Sequence, residues 1–326
     1  MIRRSLIIAL ALFCAASVPA LAQQPRKIYR IAMLERESAE SNFARLDAFR
    51  KGLRELGYIE GQNLLIEYRS AEGRDDAYPK LCAEAVRLKV DLIVGRGTPT
   101  ILACKRATTT IPILMTGAGD PVADGLIAGF ARPGGNVTGF SSSTVELTAK
   151  RLEVLRDLLP KVSHVAALLN MSNPNLPRQW KELLAAAQAL GIRVTLFDVR
   201  KPEDLNLAFE QAAKQGLDSA YVALDTLTET NRKPIADLAI KHRLPTVAGL
   251  TNYVEAGCLV SYAPAQETIY RRAASVVDKI FRGAKPADIP VEQPALFELT
   301  INLKTAKALG ISVPKDLLVR ADKVIE

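Results

Sequence analysis

Two threonines follow a short apolar run near residue 95, in a segment with the chemistry to hold an anion. Residues 91–94 are predicted as a buried strand, and a Gly-Arg-Gly turn leads from it to Thr98, Pro99 and Thr100. The free backbone N–H groups of a helix start attract anions such as carboxylates. Thr98 can add its hydroxyl to such a site, or it can act only as the N-cap, with Pro99 at the first helical position.

Glycines and hydroxyl side chains follow the next two predicted strands. Gly119 and Asp120 end a Gly-Ala-Gly-Asp turn, where missing side chains let the backbone approach a ligand. Asp120 can receive an ammonium group or cap the turn that follows. Ser141 and Ser142 follow a strand predicted at 136–140, and they either line the rim of a site or form a hinge turn. The candidate polar site thus extends over three strand ends.

In the C-terminal half, four polar residues occupy the same kind of position. Asn170 and Asp225 each end a predicted strand, and Asn252 and Tyr253 follow the last passage from helix to strand. Asp225 is our preferred partner for an ammonium group, because core packing does not explain an acid there; its alternative role is to cap a turn. Tyr253 can stack on a flat ligand or pack inside the fold. These types predict noncovalent binding of a small polar solute.

The residue patterns of common catalytic and metal sites are absent from the sequence. The two histidines are His164 and His242, and there is no His-Glu-x-x-His, Gly-x-Ser-x-Gly or phosphate-loop motif. We therefore expect no enzyme activity, no catalytic residue, no metal site and no cofactor. The net charge is +8, but lysines and arginines are mixed with acids along the chain, whereas nucleic-acid binding needs a basic face. Nucleic acid is not an expected partner.

Alternating strand and helix patterns position these residues. Apolar residues recur at helical spacing between 42 and 56, end at Gly57, and follow a strand predicted at 28–34. The alternation continues to about residue 140 and begins again at 164. Repeated strand–helix units form parallel sheets that helices cover. The pattern predicts an α/β fold of two Rossmann-like lobes with parallel sheets, joined by a hinge.

The connections between the lobes define the expected domains. Lobe 1 comprises residues 23–143 plus 266–326, and lobe 2 comprises residues 144–265. Helices predicted at 145–159 and 265–281 carry the chain between them, and the tail from Leu296 should pack on the first lobe or across the hinge. Since open α/β sheets bind ligands beyond the carboxyl ends of their strands, we expect the solute in the cleft between the lobes.

The N-terminus has the three parts of a secretory signal peptide. Residues 1–22 contain Arg3-Arg4, an apolar run, and small residues before a predicted cleavage after Ala22. The apolar run is too short to span a bilayer, and no other stretch is long enough. The predicted location is therefore the periplasm.

Three cysteines follow the predicted cleavage point: Cys82, Cys104 and Cys258. Cys82 and Cys104 fall on consecutive predicted helices, so they are the only plausible pair in an oxidising compartment. Small buried thiols are the favoured interpretation.

Five phrases along the chain carry further information through their order and spacing. They are Glu67-Tyr68-Arg69 with Ala71-Glu72-Gly73, Thr109-Thr110-Ile111-Pro112-Ile113, Gly119-Asp120-Pro121-Val122, Arg132-Pro133-Gly134-Gly135-Asn136-Val137-Thr138-Gly139, and Ile301-Asn302-Leu303-Lys304-Thr305-Ala306-Lys307-Ala308-Leu309-Gly310. Together they resemble the tryptophan/tyrosine-type family of ABC transporter substrate-binding proteins, from about Lys27 to Glu326.

The resemblance implies a type I periplasmic binding fold, with an ABC permease and its ATPase in the membrane as partners. Family members with known ligands bind aromatic amino acids, so it also suggests an amino acid as the solute. We expect a monomer that closes on its solute at a hinge near 140–145 and 262–266. Two other functions fit the same residues: a ligand sensor that docks on a membrane receptor, and a secreted α/β enzyme. A cytoplasmic repressor is excluded by the export signal.

Overall fold

The computed structural model describes residues 27–143 and 145–326. The predicted signal peptide and its cleavage point after Ala22 lie outside these residues. Within the described ranges, no helix combines the length and the apolar character needed to cross a bilayer.

The first half of the chain forms a five-stranded sheet in which every neighbouring pair is parallel, in the order β2-β1-β3-β4-β5. The strands are β1 (Tyr29–Glu35), β2 (Leu64–Ser70), β3 (Leu92–Gly95), β4 (Ile113–Ala118) and β5 (Val137–Ser141). The helices between them are α1 (Phe43–Glu55), α2 (Tyr78–Arg87) and α3 (Thr98–Ala107). Central strands such as β3 and β4 are buried along their whole length, as the apolar runs predict for a sheet covered on both faces.

The second half forms a seven-stranded sheet in the order β12-β11-β10-β9-β8-β6-β7. Its strands are β6 (His164–Leu169), β7 (Arg193–Asp198), β8 (Ser219–Val222), β9 (Thr246–Ala248), β10 (Val260–Pro264), β11 (Phe297–Asn302) and β12 (Lys323–Ile325). The accompanying helices are α4 (Leu147–Leu158), α5 (Leu176–Leu190), α6 (Pro202–Lys214), α7 (Thr226–Thr230), α8 (Arg232–Lys241), α9 (Thr251–Glu255), α10 (Gln266–Phe281), α11 (Leu303–Leu309) and α12 (Lys315–Val319). All neighbouring strands are parallel except β10 and β11.

Helix α10 returns the chain from the second lobe and packs along α1 of the first. Gly52 makes this approach possible. A Cβ atom at Gly52 would lie 2.6 Å from the carbonyl oxygen of Arg271 and 2.8 Å from the Cβ of Ala274. The absence of a side chain therefore lets the two helices come close, and it fixes α10 to the first lobe.

The C-terminal tail does not pack on the first lobe, which was one of its two expected places and the basis for assigning residues 266–326 to that lobe. It joins the second sheet, where β11 pairs antiparallel with β10 and β12 pairs with β11. Leu299 and Ile301 of β11 pack in an apolar cluster of the second lobe, while the strand satisfies the open edge of β10. The chain therefore crosses between the lobes a third time, after Glu292, whose backbone still bonds to Gly139 and Ser141.

Each sheet is sandwiched between two apolar clusters built from its own strands and the helices beside them. This confirms the predicted two-lobed α/β fold. The sequence prediction was less complete for short elements, because α7, α9, α11 and α12 have only five to seven residues each. Helices this short carry too few apolar repeats to give a periodic signal.

The favoured interpretation, that the cysteines are buried free thiols, was wrong for Cys82 and Cys104. Cys82 on α2 and Cys104 on α3 form a disulfide, with Cα atoms 5.0 Å apart, because the two helices pack side by side. That separation lies within the usual range for a bridge. Cys258 is buried and unbridged, and burial raises the pKa of its thiol to about 12.

Candidate functional site

A small cavity lies where the strand-end loops of the two lobes face each other. Its volume is about 30 Å³, and it is partly open to solvent. The first lobe contributes Arg36 after β1, Arg96 and Thr98 after β3, Gly119 after β4 and Ser142 after β5. The cavity thus lies at the carboxyl ends of four parallel strands, where ligand sites of open α/β sheets form.

The opposite wall belongs to the second lobe. Asn173 and Asn175 come from the loop between β6 and α5, and Leu224 follows β8. Gln266, the first residue of α10, lies between the two walls. Groups from both lobes therefore surround the same space.

The start of α3 differs by one residue from the prediction. Gly97, with a φ of 91°, is the N-cap, and Thr98 is the first helical residue. The Thr98 hydroxyl donates to Asp124 Oδ2 at 2.8 Å and accepts from the Gly119 N–H at 3.3 Å, so it ties two loops together beside the cavity. The Thr100 hydroxyl instead donates to the Arg96 carbonyl, inside its own helix turn.

Two glycines make room for groups that approach the cavity. A Cβ atom at Gly97 would lie 2.4 Å from Arg36 Nη2, and one at Gly119 would lie 2.2 Å from Asn175 Cγ. The second contact joins the two lobes. Gly119, predicted as a site residue because backbone could approach a ligand there, is in fact approached by a side chain of the other lobe.

Asp120 has its side chain at the rim, where its Oδ1 accepts from the Ala123 N–H at 3.1 Å. Asp120 therefore caps the turn that follows it, which was the second of the two roles expected for it. Its other carboxylate oxygen lies 3.9 Å from Arg178 of α5, and Arg178 also pairs with the buried Asp124. These contacts form an ion pair between the lobes on one side of the cavity.

Of the two predicted serines, Ser142 lines the cavity and donates its hydroxyl to the Ala118 carbonyl at 3.0 Å. Ser141 is buried, and its hydroxyl lies 3.5 Å from that of Ser143. The structure therefore places one serine at the wall and the other behind it.

Asp225 is fully buried and acts as the N-cap of α7, with its Oδ1 accepting from the Leu227 N–H at 3.0 Å. Asn170 donates to the same oxygen at 3.1 Å, and Asn173 donates to Oδ2 at 2.8 Å. Both carboxylate oxygens thus have partners inside the second lobe, as in the capping alternative. Asn170 serves this network and does not line the cavity.

Tyr253 is fully buried in the core of the second lobe, where its hydroxyl lies 2.9 Å from that of Thr228. Tyr253 therefore packs inside the fold and does not stack on a ligand at the cavity. Its neighbour Asn252 donates to Glu229 Oε1 at 3.0 Å. Asn252 thereby joins a charged network beside the cavity that the sequence did not reveal.

This network, here called the Glu229 network, joins Glu229 and Asn252 to three arginines of the first lobe. Arg36 Nη1 and Arg96 Nη2 each lie 2.9 Å from a Glu229 oxygen, and Arg45 Nη1 lies at 3.2 Å. Glu229 has no exposed surface. Four donors, three of them charged and from the other lobe, converge on one carboxylate.

The electrostatics of the network follow from this geometry. Burial opposes the ionisation of Glu229, but the guanidinium groups of Arg96, Arg45 and Arg36 hold its pKa well below the ordinary value. Arg96 also lies 3.3 Å from Glu35, and Glu35 accepts a hydrogen bond from the hydroxyl of Tyr270. The carboxylate of Glu229 therefore stays charged at neutral pH.

Glu37 extends the network to its outer edge. It pairs with Arg45 of its own lobe at 2.9 Å and with Arg232 of the second lobe. Burial, with the added repulsion of Glu229, raises the pKa of the Glu37 carboxyl. Four arginines and three glutamates thus pair with one another in this region.

The sequence reasoning missed Arg36, Arg96, Asn173, Asn175 and Glu229. Arg36 and Arg96 come directly after β1 and β3, so the strand-end rule that selected Thr98 could have found them. Glu229 lies in the five-residue helix α7, which the sequence suggests only as a turn. No local pattern marks it.

The arrangement is suited to holding an anion. Within residues 27–143 and 145–326, no group of three or more histidine, cysteine or acidic residues could hold a metal ion. Apart from Leu224, the side chains at the cavity wall are guanidinium, amide and hydroxyl groups, which bind by hydrogen bonds and charge.

A family model described as ABC transporter substrate binding protein matches residues 30–325. Among characterised proteins, a tyrosine-binding protein from Clostridioides difficile (strain R20291) is 29% identical over 263 residues, which cover 81% of this chain and 75% of that protein.

Two solved structures are similar to this chain over most of its length. The crystal structure of an ABC domain from Streptococcus pneumonia in complex with L-Trp has a TM-score of 0.84 and 27% identity, and the match covers 92% of this chain and 100% of that one. The ligand-free, open structure of a substrate binding protein with adhesive properties from Clostridium difficile has a TM-score of 0.67 and 26% identity, over 91% and 99%. At nearly equal identity, this structure is closer to the L-Trp complex than to the open form.

Proposed function

Because the chain belongs to the family of ABC transporter substrate-binding proteins, we propose that it is the extracytoplasmic component of an ABC importer and holds a small polar solute between its lobes. The family and the relatives above are solute-binding proteins and not enzymes.

One observation carries the proposal: the cavity is lined by polar groups of both lobes at the carboxyl ends of their strands. Of the residues selected from the sequence, Thr98, Gly119 and Ser142 contribute to its wall. The other polar side chains of the lining are Arg36, Arg96, Asn173, Asn175 and Gln266. A solute held there contacts both lobes at once, so its binding favours the closed arrangement.

The lobes that close comprise residues 27–143 with 266–292, and residues 145–265 with 297–326. The hinge consists of the three connections between them, after β5, after β10 and after Glu292. In the closed form the Glu229 network spans the gap beside the solute, so opening must separate three guanidinium groups from one carboxylate.

The partners follow from this function. A permease receives the solute from the closed protein, and its ATPase powers the transport. The binding protein acts as a monomer. The periplasm is the proposed location, since the N-terminal segment has the pattern of an export signal and the Cys82–Cys104 disulfide suits an oxidising compartment. N-terminal sequencing of the exported protein should begin at Gln23.

The test is a thermal-shift screen of the mature protein against amino acids, hydroxy acids, sugars and nucleosides. A solute that binds only the folded state raises the melting temperature, by an amount that grows with its concentration above Kd. We expect at least one class of solute to raise the melting temperature, and we expect the bound solute to be recovered chemically unchanged. Turnover of a bound solute, or no shift with any class, would refute the proposal.

A further inference from the structure

The wall of the cavity differs from what an aromatic amino acid needs. Among the described residues that line it, none has an aromatic ring and none is acidic, and Leu224 is the only large apolar side chain. Arg36 and Arg96 are 4% and 3% exposed, so two buried guanidinium groups border the cavity. An indole or phenol ring would find almost no apolar contacts there.

Two buried polar atoms at this wall have no hydrogen-bond partner. They are Nε of Arg36, a charged donor, and Oδ1 of Asn175, a neutral acceptor on a side chain that is 5% exposed. Buried polar groups are almost always paired, so an unpaired donor and acceptor on the two walls of one cavity point to a ligand that carries the matching groups. The matching groups are an anionic acceptor and a donor.

The anionic group has a second source of attraction. The amide groups in the first turn of α3 have no intrahelical partners, and the first intrahelical bond at this end is from the Ile101 N–H to the Gly97 carbonyl. A carboxylate near Arg36 Nε also lies at this helix start, where the helix dipole favours negative charge.

The donor of the solute is a hydroxyl rather than an ammonium group. An ammonium group would add a third positive charge beside Arg36 and Arg96, and no acidic side chain lines the cavity to receive it. Asp225 accepts from two amide side chains and a backbone N–H, and Glu229 accepts from three guanidinium groups. A hydroxyl satisfies Asn175 without adding charge.

We propose that the solute is a short-chain hydroxycarboxylate without an ammonium group or an aromatic ring, held by Arg36, the start of α3 and Asn175. This inference rests on the proposed solute-binding function. It also separates this chain from the relatives whose names refer to tyrosine and L-Trp.

Calorimetric titration of the mature protein with matched pairs tests the inference. Lactate and alanine differ only in a hydroxyl against an ammonium group, as do glycerate and serine; L-Tyr and L-Trp complete the set. We expect the hydroxy acids to bind at least tenfold more tightly than their amino-acid twins. Tighter binding of any of the amino acids, or binding of a sugar or nucleoside alone, overturns the inference but leaves the solute-binding function. No binding by any class overturns both.

Two substitutions test which residues cause the preference for hydroxy acids. Asn175→Asp places a negative charge in the cavity at constant size, so it should weaken lactate at least tenfold and weaken alanine less. Arg36→Gln should also weaken lactate at least tenfold, whereas Arg271→Gln, which removes an exposed partner of Glu55, should leave it unchanged. Equal weakening of both twins by Asn175→Asp would contradict recognition by charge.

Discussion

The charged side chains of the first-lobe wall bind a carboxylate of the other lobe, whereas the amides behind the second-lobe wall bind a carboxylate of their own lobe. Arg36 and Arg96 extend their guanidinium groups to Glu229 of the other lobe. Asn170 and Asn173, by contrast, donate to Asp225 of their own lobe. The second wall is therefore supported by bonds inside its own lobe, and the first is a cationic surface that takes its partner carboxylate from the other lobe.

The difference indicates where closure gains its stability. Glu229 is fully buried and faces three guanidinium groups, while Arg178, on the other side of the cavity, has a side chain that is 33% exposed. Buried charges depend strongly on their partners, and exposed ion pairs contribute little. Closure should therefore depend on Glu229 much more than on Arg178.

The largest effect is expected for Glu229→Ala, which leaves Arg36, Arg45 and Arg96 without their shared carboxylate. Removing one member of a buried ion pair costs about 3–5 kcal/mol, so the solute-free protein should open, and its radius of gyration in X-ray scattering should increase. Glu255→Ala is the matched control, because it removes an exposed carboxylate of the same lobe, paired with Lys323. Identical scattering of Glu229→Ala and the wild-type protein would show that the network does not hold the lobes.

Acid should open the lobes through the same carboxylate. Because the pKa of Glu229 is lowered in the closed form, its contribution is complete above the ordinary value of 4.5 and is lost as the pH falls below that value, through the lowered pKa. Scattering across this range should show opening in the wild-type protein and no pH-dependent step in Glu229→Gln. The pKa of Glu37 is raised, so its protonation has the opposite sign, and Glu37→Gln should keep the acid step. An acid step that persists in Glu229→Gln would assign it to another group.

Asp225→Ala tests whether the second wall is preformed. The substitution removes the N-cap of α7 and the acceptor of two buried amides, so the free energy of unfolding should fall by about 1–2 kcal/mol. Urea denaturation measures this, with Asp237→Ala, at an exposed pair with Lys233, as the control. Unchanged stability with a tenfold loss of solute affinity would instead make Asp225 a ligand partner, as the sequence suggested.

The smallest effect is expected for Arg178→Ala. Its ion pair with Asp124 is partly exposed, and Asp124 keeps the hydroxyl of Thr98 as a donor. Asp124 is buried, so the closed form should lose about 1 kcal/mol, near the upper limit for an exposed pair, and still too little to change the scattering of the solute-free protein. Opening as large as that of Glu229→Ala would remove the distinction between the two sides of the cavity.

Prediction from the sequence succeeded where burial is periodic. The strand before Arg36 and the helix after it follow from apolar spacing, and so does the repetition of the βα pattern in two lobes. The strand-end rule also found part of the first wall, through Thr98, Gly119 and Ser142. It could not decide the role of Asp225, because capping and ligand binding demand the same residue at the same position.

The sequence by itself determined the α/β pattern, the two lobes and the strand ends at which the cavity forms, because each element encodes its own burial in its local spacing. Only the tertiary structure decided the partners. Glu229 meets Arg36 and Arg96, which are 193 and 133 residues away in the chain, and the edge of β10 takes β11 from the tail. Such contacts depend on how the lobes and sheet edges come together, and no local periodicity records that.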